Sequence, residues 1–276
     1  MSNLPSKDYK MNLLGIVHCK RDVSVPHWQH QATMSILKMP FTPVDVWEDH
    51  NFDIGAARQG ATEALLEAFP EITYILYVDD DLATNNRYAL MGMYQFLEDR
   101  NQSIISALYY NKAPGAYKCP TCGRRKHEPI IFNIVEKDDR LWFSFPFQHE
   151  TPPLNHAYEV TCVPAGFLLV KREVFEKLEK PWFIYGDPEL KKRFGHTEKG
   201  PGEDVYFSIK AVKAGYKLWL DTRAEFIHYV PGWSGRQELI DAITRVEKPV
   251  TAVRADYFEI MKRKQEEEKK KKLKEE

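Results

Sequence analysis

The sequence predicts an α/β fold, a single large domain whose first half is Rossmann-like, and three observations carry that reading. Apolar runs alternate with helical patterns from residue 11 to residue 110, the rhythm of strand, helix, strand, helix, strand that builds a nucleotide-binding half. The run from Ile72 to Val78 is β-branched and aromatic with no polar alternation, as in a central strand covered on both faces. It stops abruptly on Asp79, Asp80 and Asp81, at the strand end beyond which ligands sit in open α/β sheets.

In order, Met11 to Cys19 reads as the first buried strand, and Pro26 opens a helix to about Lys38 with Trp28, Ala32, Ile36 and Leu37 on one face. Val44 to Trp47 is a short second strand ending in Glu48, Asp49 and His50. Asp53 caps a helix with Ile54, Ala57, Ala61, Ala64, Leu65 and Ala68 as its apolar stripe, and Pro70 ends it. After the aspartates, Asn85 to Arg100 carries Leu90, Tyr94 and Leu97 at helical spacing, and Ser103 to Tyr110 is another strand. Further strands are expected at 129–135, 141–147 and 158–163, antiparallel because the linkers are too short for crossover helices, so the sheet is mixed. Ala165 and Gly166 lead into the strand Phe167 to Val170, and a short helix follows from Lys171 to Leu178. Pro201-Gly-Glu-Asp-Val starts a helix that Gly215 stops, with Val205, Ile209 and Val212 inward. Residues 216–220 and 225–228 form the last two strands. The expected organisation is one domain over 1–250, with a nucleotide-binding half at about 11–110 and an acceptor-side half at about 111–230, and a Lys/Glu-rich helix or tail at 251–276.

With 276 residues and a hydrophobic share of 43% the chain can bury a sizeable core. Its formal net charge of -1 gives no reason to expect nucleic acid. No apolar run approaches the ~20 residues of a membrane span, and the first ten residues lack a signal-peptide core. The expectation is therefore a soluble, cytoplasmic protein without a transmembrane segment, with peripheral membrane contact left open.

Side chains alternate along an extended chain, so Asp79 and Asp81 point the same way. Two carboxylates about 5 Å apart repel by roughly 3 kcal/mol at an effective dielectric near 20, so a rigid pair favours a hard divalent cation between them. A solvated turn is the alternative. Cys119 and Cys122 form a Cys-x-x-Cys that reads either as half of a structural Zn²⁺ site, with Cys19, His127, His149 or Cys162 as further ligands, or as free thiols or a labile disulfide.

Four pieces follow in one order: a strand ending Asp-x-Asp, an Ala-Gly turn before an apolar strand, Glu203-Asp204 at a helix start, and a strand ending in His228. That ordered set resembles the GT-A type of glycosyltransferase, in particular its inverting, family-2-like members, over most of residues 11–230. The resemblance implies a transfer of sugar from a UDP- or GDP-sugar to an acceptor hydroxyl. It implies Mn²⁺ or Mg²⁺ held by Asp79, Asp81 and His228, with Asp204 as catalytic base and Glu203 beside it. Glu48 or Asp49 would accept from the base, Arg58 would lie near base and phosphates, Asp80 would lie at the donor, and Gly166 would let the backbone approach the donor sugar. Arg58 as a surface helix charge is the alternative. The Cys-x-x-Cys segment departs from the family pattern. Two other functions compete: a sugar nucleotidyltransferase, although the first strand carries one glycine where such enzymes are Gly-rich, and a non-enzymatic zinc-knuckle adaptor.

Overall fold

The computed structural model describes residues 13–19, 43–47, 53–79, 82–84, 86, 88–110, 129–146, 155–195 and 200–228. The chain divides into two compact units, Met1–Pro231 and Gly232–Glu276, and every described residue belongs to the first. The helix expected at Pro26–Lys38, the Cys119/Cys122 segment and the 251–276 tail lie outside the described residues.

The strands are β1 (Leu13–Cys19), β2 (Pro43–Trp47), β3 (Ile72–Asp79), β4 (Leu82–Ala83), β5 (Ile104–Tyr109), β6 (Asn133–Lys137), β7 (Arg140–Ser144), β8 (Ala157–Val160), β9 (Phe167–Lys171) and β10 (Leu218–His228). The helices are α1 (Ile54–Ala68), α2 (Ala89–Arg100), α3 (Arg172–Lys177), α4 (Pro188–Phe194) and α5 (Glu203–Lys213). One mixed eight-stranded sheet runs in the order β2-β1-β3-β9-β5-β10-β4, with β8 also against β10, and β6-β7 is a separate hairpin. The pairs β2/β1/β3 are parallel, which is the Rossmann-like half read from the sequence. β9 then runs antiparallel between β3 and β5, so the start of β9 comes to the carboxyl end of β3.

The sheet is covered on both faces because its central strands are apolar on both. Ile75 and Tyr77 of β3 join Leu65 of α1, Phe175 of α3 and Phe207 of α5 in one core cluster. Tyr74, Leu76 and Val78 join Leu90, Met93, Tyr94 and Leu97 of α2 in the other. Alternation along one strand thus feeds two helical layers. Among the described residues no helix is long and apolar enough to cross a membrane.

Several sequence expectations are corrected. On α1 the buried residues are Gly55, Arg58, Ala61, Thr62 and Leu65, whereas Ala64 and Ala68 are exposed. The buried face is therefore rotated to take in Arg58, which lies between two carboxylates, and the two alanine methyls are left outside. On α5, Val205, Phe207, Ser208 and Ala211 are buried and Val212 is exposed. α2 begins at Ala89 and not near Asn85, because Asn86 accepts from the Tyr88 N–H at 3.0 Å and donates to the Arg223 carbonyl at 2.6 Å. Asn86 is spent on a turn that ties this loop to β10. The two last strands are one, β10, interrupted between Asp221 and Glu225. Asp221 there grips Arg223 at 2.8 and 2.9 Å, and Thr222 exchanges hydrogen bonds with the His156 backbone. α4 was not anticipated, although Asp187 caps it onto the Leu190 N–H at 2.9 Å, Pro188 starts it and Gly195 closes it at φ 71°.

Candidate active site

β3 delivers Asp79 to the carboxyl end of the sheet, where the residue is 7% exposed. The Asp79 N–H donates to the Gly166 carbonyl at 2.7 Å, which locks the turn before β9 against the end of β3. The Gly166 N–H in turn donates to the Tyr109 hydroxyl at 3.0 Å, from the last residue of β5. A Cβ on Gly166 would lie 2.9 Å from that hydroxyl, 3.0 Å from Asp79 Oδ2 and 3.0 Å from Leu82 Cδ1. A methyl at 166 would force Tyr109, Asp79 or Leu82 to give way, which is a nearer reason for glycine than approach of a ligand to the backbone.

α1 brings Arg58 beneath this edge, 2% exposed. Its Nη2 donates to Asp79 Oδ1 at 2.7 Å, and its Nη1 donates to Glu203 Oε1 at the first turn of α5. Arg58 is therefore no surface charge. Among the described residues it supplies a positive charge to Asp79, 2.7 Å away.

At the start of α5 the neighbouring acids diverge. Glu203 is buried on the Arg58 side, whereas Asp204 is partly open. Asp204 Oδ1 accepts from the Val205 N–H at 2.8 Å, folded back so tightly that a Cβ on Gly202 would stand 2.5 Å from it. Removal from water and the adjoining Glu203 charge push the Asp204 carboxyl up to about 7, against the pull of Arg58 and the Val205 N–H. A carboxyl at that value is poised to exchange a proton near neutrality. Burial, with the charges of Asp79 and Asp204, pushes the Tyr109 hydroxyl well above its ordinary range, so it stays protonated and able to donate. Cys162, considered above as a zinc ligand, is a free thiol sealed in the core against Ser208, raised by burial and by Asp204.

The structure thus brings together Arg58, Asp79, Gly166, Glu203 and Asp204 of the sequence-derived set. The β4/β10 register sets His228 across from Leu82, the residue after Asp81 in the sequence. Glu48, Asp49, Asp80, Asp81, Cys119 and Cys122 lie outside the described residues. Among the described residues no three His, Cys, Asp or Glu side chains gather as a metal-ligand cluster. Tyr109 was missed: one tyrosine at the end of an apolar run carries no signal of its own, and its role arises from β9 lying between β3 and β5.

No protein-family profile matches the chain, and no curated protein matches it in sequence. Among solved structures it is similar to the A197 protein from STIV, at 16% identity and a TM-score of 0.48 over 80% of this chain and 86% of that one. It is also similar to GalNAc-T7, solved with UDP, GalNAc and Mn2+, at 13% identity and a TM-score of 0.42, over 81% of this chain and 45% of that one.

Proposed function

We propose that this chain is a glycosyltransferase that moves a sugar from a UDP- or GDP-sugar to an acceptor hydroxyl, with inversion at the anomeric carbon. The observation that carries the reading is Asp204: a carboxyl at a helix start, raised to about 7 by removal from water and the Glu203 charge, and within electrostatic reach of the strand-end Asp79. A carboxyl that titrates near neutrality supports a general-base role, since it can both take and release a proton there.

In this reading the acceptor hydroxyl approaches Asp204, which receives its proton as the new glycosidic bond forms. Glu203 faces Arg58 and shapes the base through its charge. The Tyr109 hydroxyl and Gly166 fix Asp79 at the donor side. Glu48 or Asp49 accepts from the nucleotide base, and Asp80 lies along the donor. Mn²⁺ or Mg²⁺ would be held by Asp81 and His228, with Asp79 adding its oxygen away from Arg58. That ligand set rests on the family resemblance. A divalent ion, when bound, supplies compensation for charge gathering on the diphosphate leaving group. Structural Zn²⁺ at Cys119 and Cys122 belongs to the same proposal.

The test is incubation of the full chain with a panel of UDP- and GDP-sugars and Mn²⁺, followed by release of nucleoside diphosphate and by NMR of the product anomer. Release that depends on Mn²⁺ and falls in Asp204→Asn supports the reading. No release with any donor, and no Mn²⁺-dependent binding of UDP or GDP, refutes it.

A further inference from the structure

Arg58 is held more firmly than a helix side chain needs to be. The α1 residues around it are each tied to the chain on the acceptor side or to β3. A Cβ on Gly55 would lie 2.8 Å from the Tyr185 backbone nitrogen and 3.3 Å from Glu203 Cβ, so α1 lies hard against the start of α5. Gln59 Oε1 accepts from the backbone N–H of Trp182 at 2.7 Å and of Phe183 at 3.3 Å. Thr62 Oγ1 donates to the Arg58 carbonyl at 2.7 Å and shares a hydrogen bond with the Tyr77 hydroxyl at 2.6 Å. One turn of helix is thereby fixed on both sides, and the guanidinium between is pre-organised before any ligand arrives.

The planar fork of that guanidinium donates one N–H toward Asp79, on the nucleotide-binding half, and another toward Glu203, on the acceptor half. Such a fork spans two carboxylates in fixed directions, as a lysine ammonium cannot. We propose that Arg58 is a positioning residue that clamps the strand carrying Asp79 to the helix carrying Asp204 by bridging Asp79 and Glu203, and that it does not contact the donor. This inference rests on the glycosyltransferase reading and assigns Arg58 a role other than the base and phosphate contact expected from the sequence. Glu203 acts through Arg58 in the same clamp, so the two residues work as one unit. Their buried pairing also means that deleting one partner leaves an uncompensated charge, whereas deleting both does not leave that pair's charge behind.

The test uses the full chain and four proteins: wild type, Arg58→Met, Glu203→Met and the double variant, each read for thermal midpoint, transfer kcat and donor KM, and Mn²⁺-dependent binding of UDP and GDP. A clamp predicts that Arg58→Met lowers kcat by roughly 10²-fold, the order expected when reacting groups shift by an ångström. The double variant then loses no more than the worse single one, and its midpoint recovers part of the Arg58→Met loss. Nucleoside diphosphate affinity in Arg58→Met falls by less than kcat does, because the guanidinium itself makes no donor contact. Losses in kcat that multiply in the double variant overturn the clamp. So does Arg58→Met with intact kcat and nucleoside diphosphate affinity weakened tenfold or more, which makes Arg58 a donor contact. If Arg58→Met does not fold, the cycle is run with Arg58→Lys and Glu203→Gln, and full transfer in Arg58→Lys refutes the need for the fork. If wild type binds neither UDP nor GDP, the glycosyltransferase reading fails by itself, and coupling in the four midpoints still decides whether the clamp exists.

Discussion

Replacing Gly166 by alanine probes the packing beneath the site with a single methyl group. That methyl would stand 2.9 Å from the Tyr109 hydroxyl and 3.0 Å from both Asp79 Oδ2 and Leu82 Cδ1. Tyr109 and Leu82 are 5% and 2% exposed, so neither has open space to move into. Inserting a carbon into such packing costs about 1–3 kcal/mol. Straining the Gly166 N–H bond to Tyr109 adds about 1 kcal/mol. Alanine also restricts the unfolded chain, which returns up to about 1 kcal/mol. The balance is a loss of about 1–4 kcal/mol, or roughly 2–16 °C in melting temperature for a domain of this size. Thermal unfolding of the full chain followed by circular dichroism measures it. Titration with UDP and GDP in Mn²⁺ then shows whether the displaced Asp79 weakens binding, as expected if this carboxylate faces the donor. A melting temperature within about 1 °C of wild type would refute the argument that Tyr109, Asp79 and Leu82 together exclude any side chain at 166.

Gly60→Ala on α1 should have the opposite sign, because nothing lies within 4 Å of its new methyl; a gain of about 0.5–1 kcal/mol in a denaturant titration is expected. Asp204→Asn should reduce transfer by about 10²–10⁴ while donor binding is kept, and retained transfer would remove Asp204 as the base. In wild type the transfer rate should rise with pH through about 7 as Asp204 ionises, and a profile without that limb counts against the assignment. The sign for stability is the reverse: the folded value is raised from 3.8, so the contribution of protonated Asp204 is complete below about pH 4 and is lost as pH rises through 7. Chemical denaturation between those pH values should show wild type losing stability that Asp204→Asn keeps. Asp79→Asn should destabilise the protein by about 3 kcal/mol, since it breaks the buried ion pair with Arg58; an unchanged midpoint would show that Arg58 is satisfied without it.

The α/β class, the parallel strands of the first half, the strand that ends on Asp79 and the helix that begins with Glu203 and Asp204 are all legible in the residue pattern. Apolar periodicity, caps and stop signals are local, so β3, α1 with its Asp53 cap and β9 lie near where the pattern put them. The α4 signals, Asp187, Pro188 and Gly195, are equally local, although the helix between them is only seven residues long. Which carboxylate receives which cation was decided by the tertiary structure alone. Arg58 meets an acid 21 positions away and another 145 positions away, and no spacing in the chain announces either meeting. The same holds for Tyr109, which reaches Gly166 only because β9 inserts antiparallel between β3 and β5, and for α1, whose buried face takes in Arg58 and leaves out Ala64 and Ala68. A buried charge has much to lose without a partner and an alanine methyl has little to gain from burial, so the ion pairs outweigh the pattern wherever the two conflict.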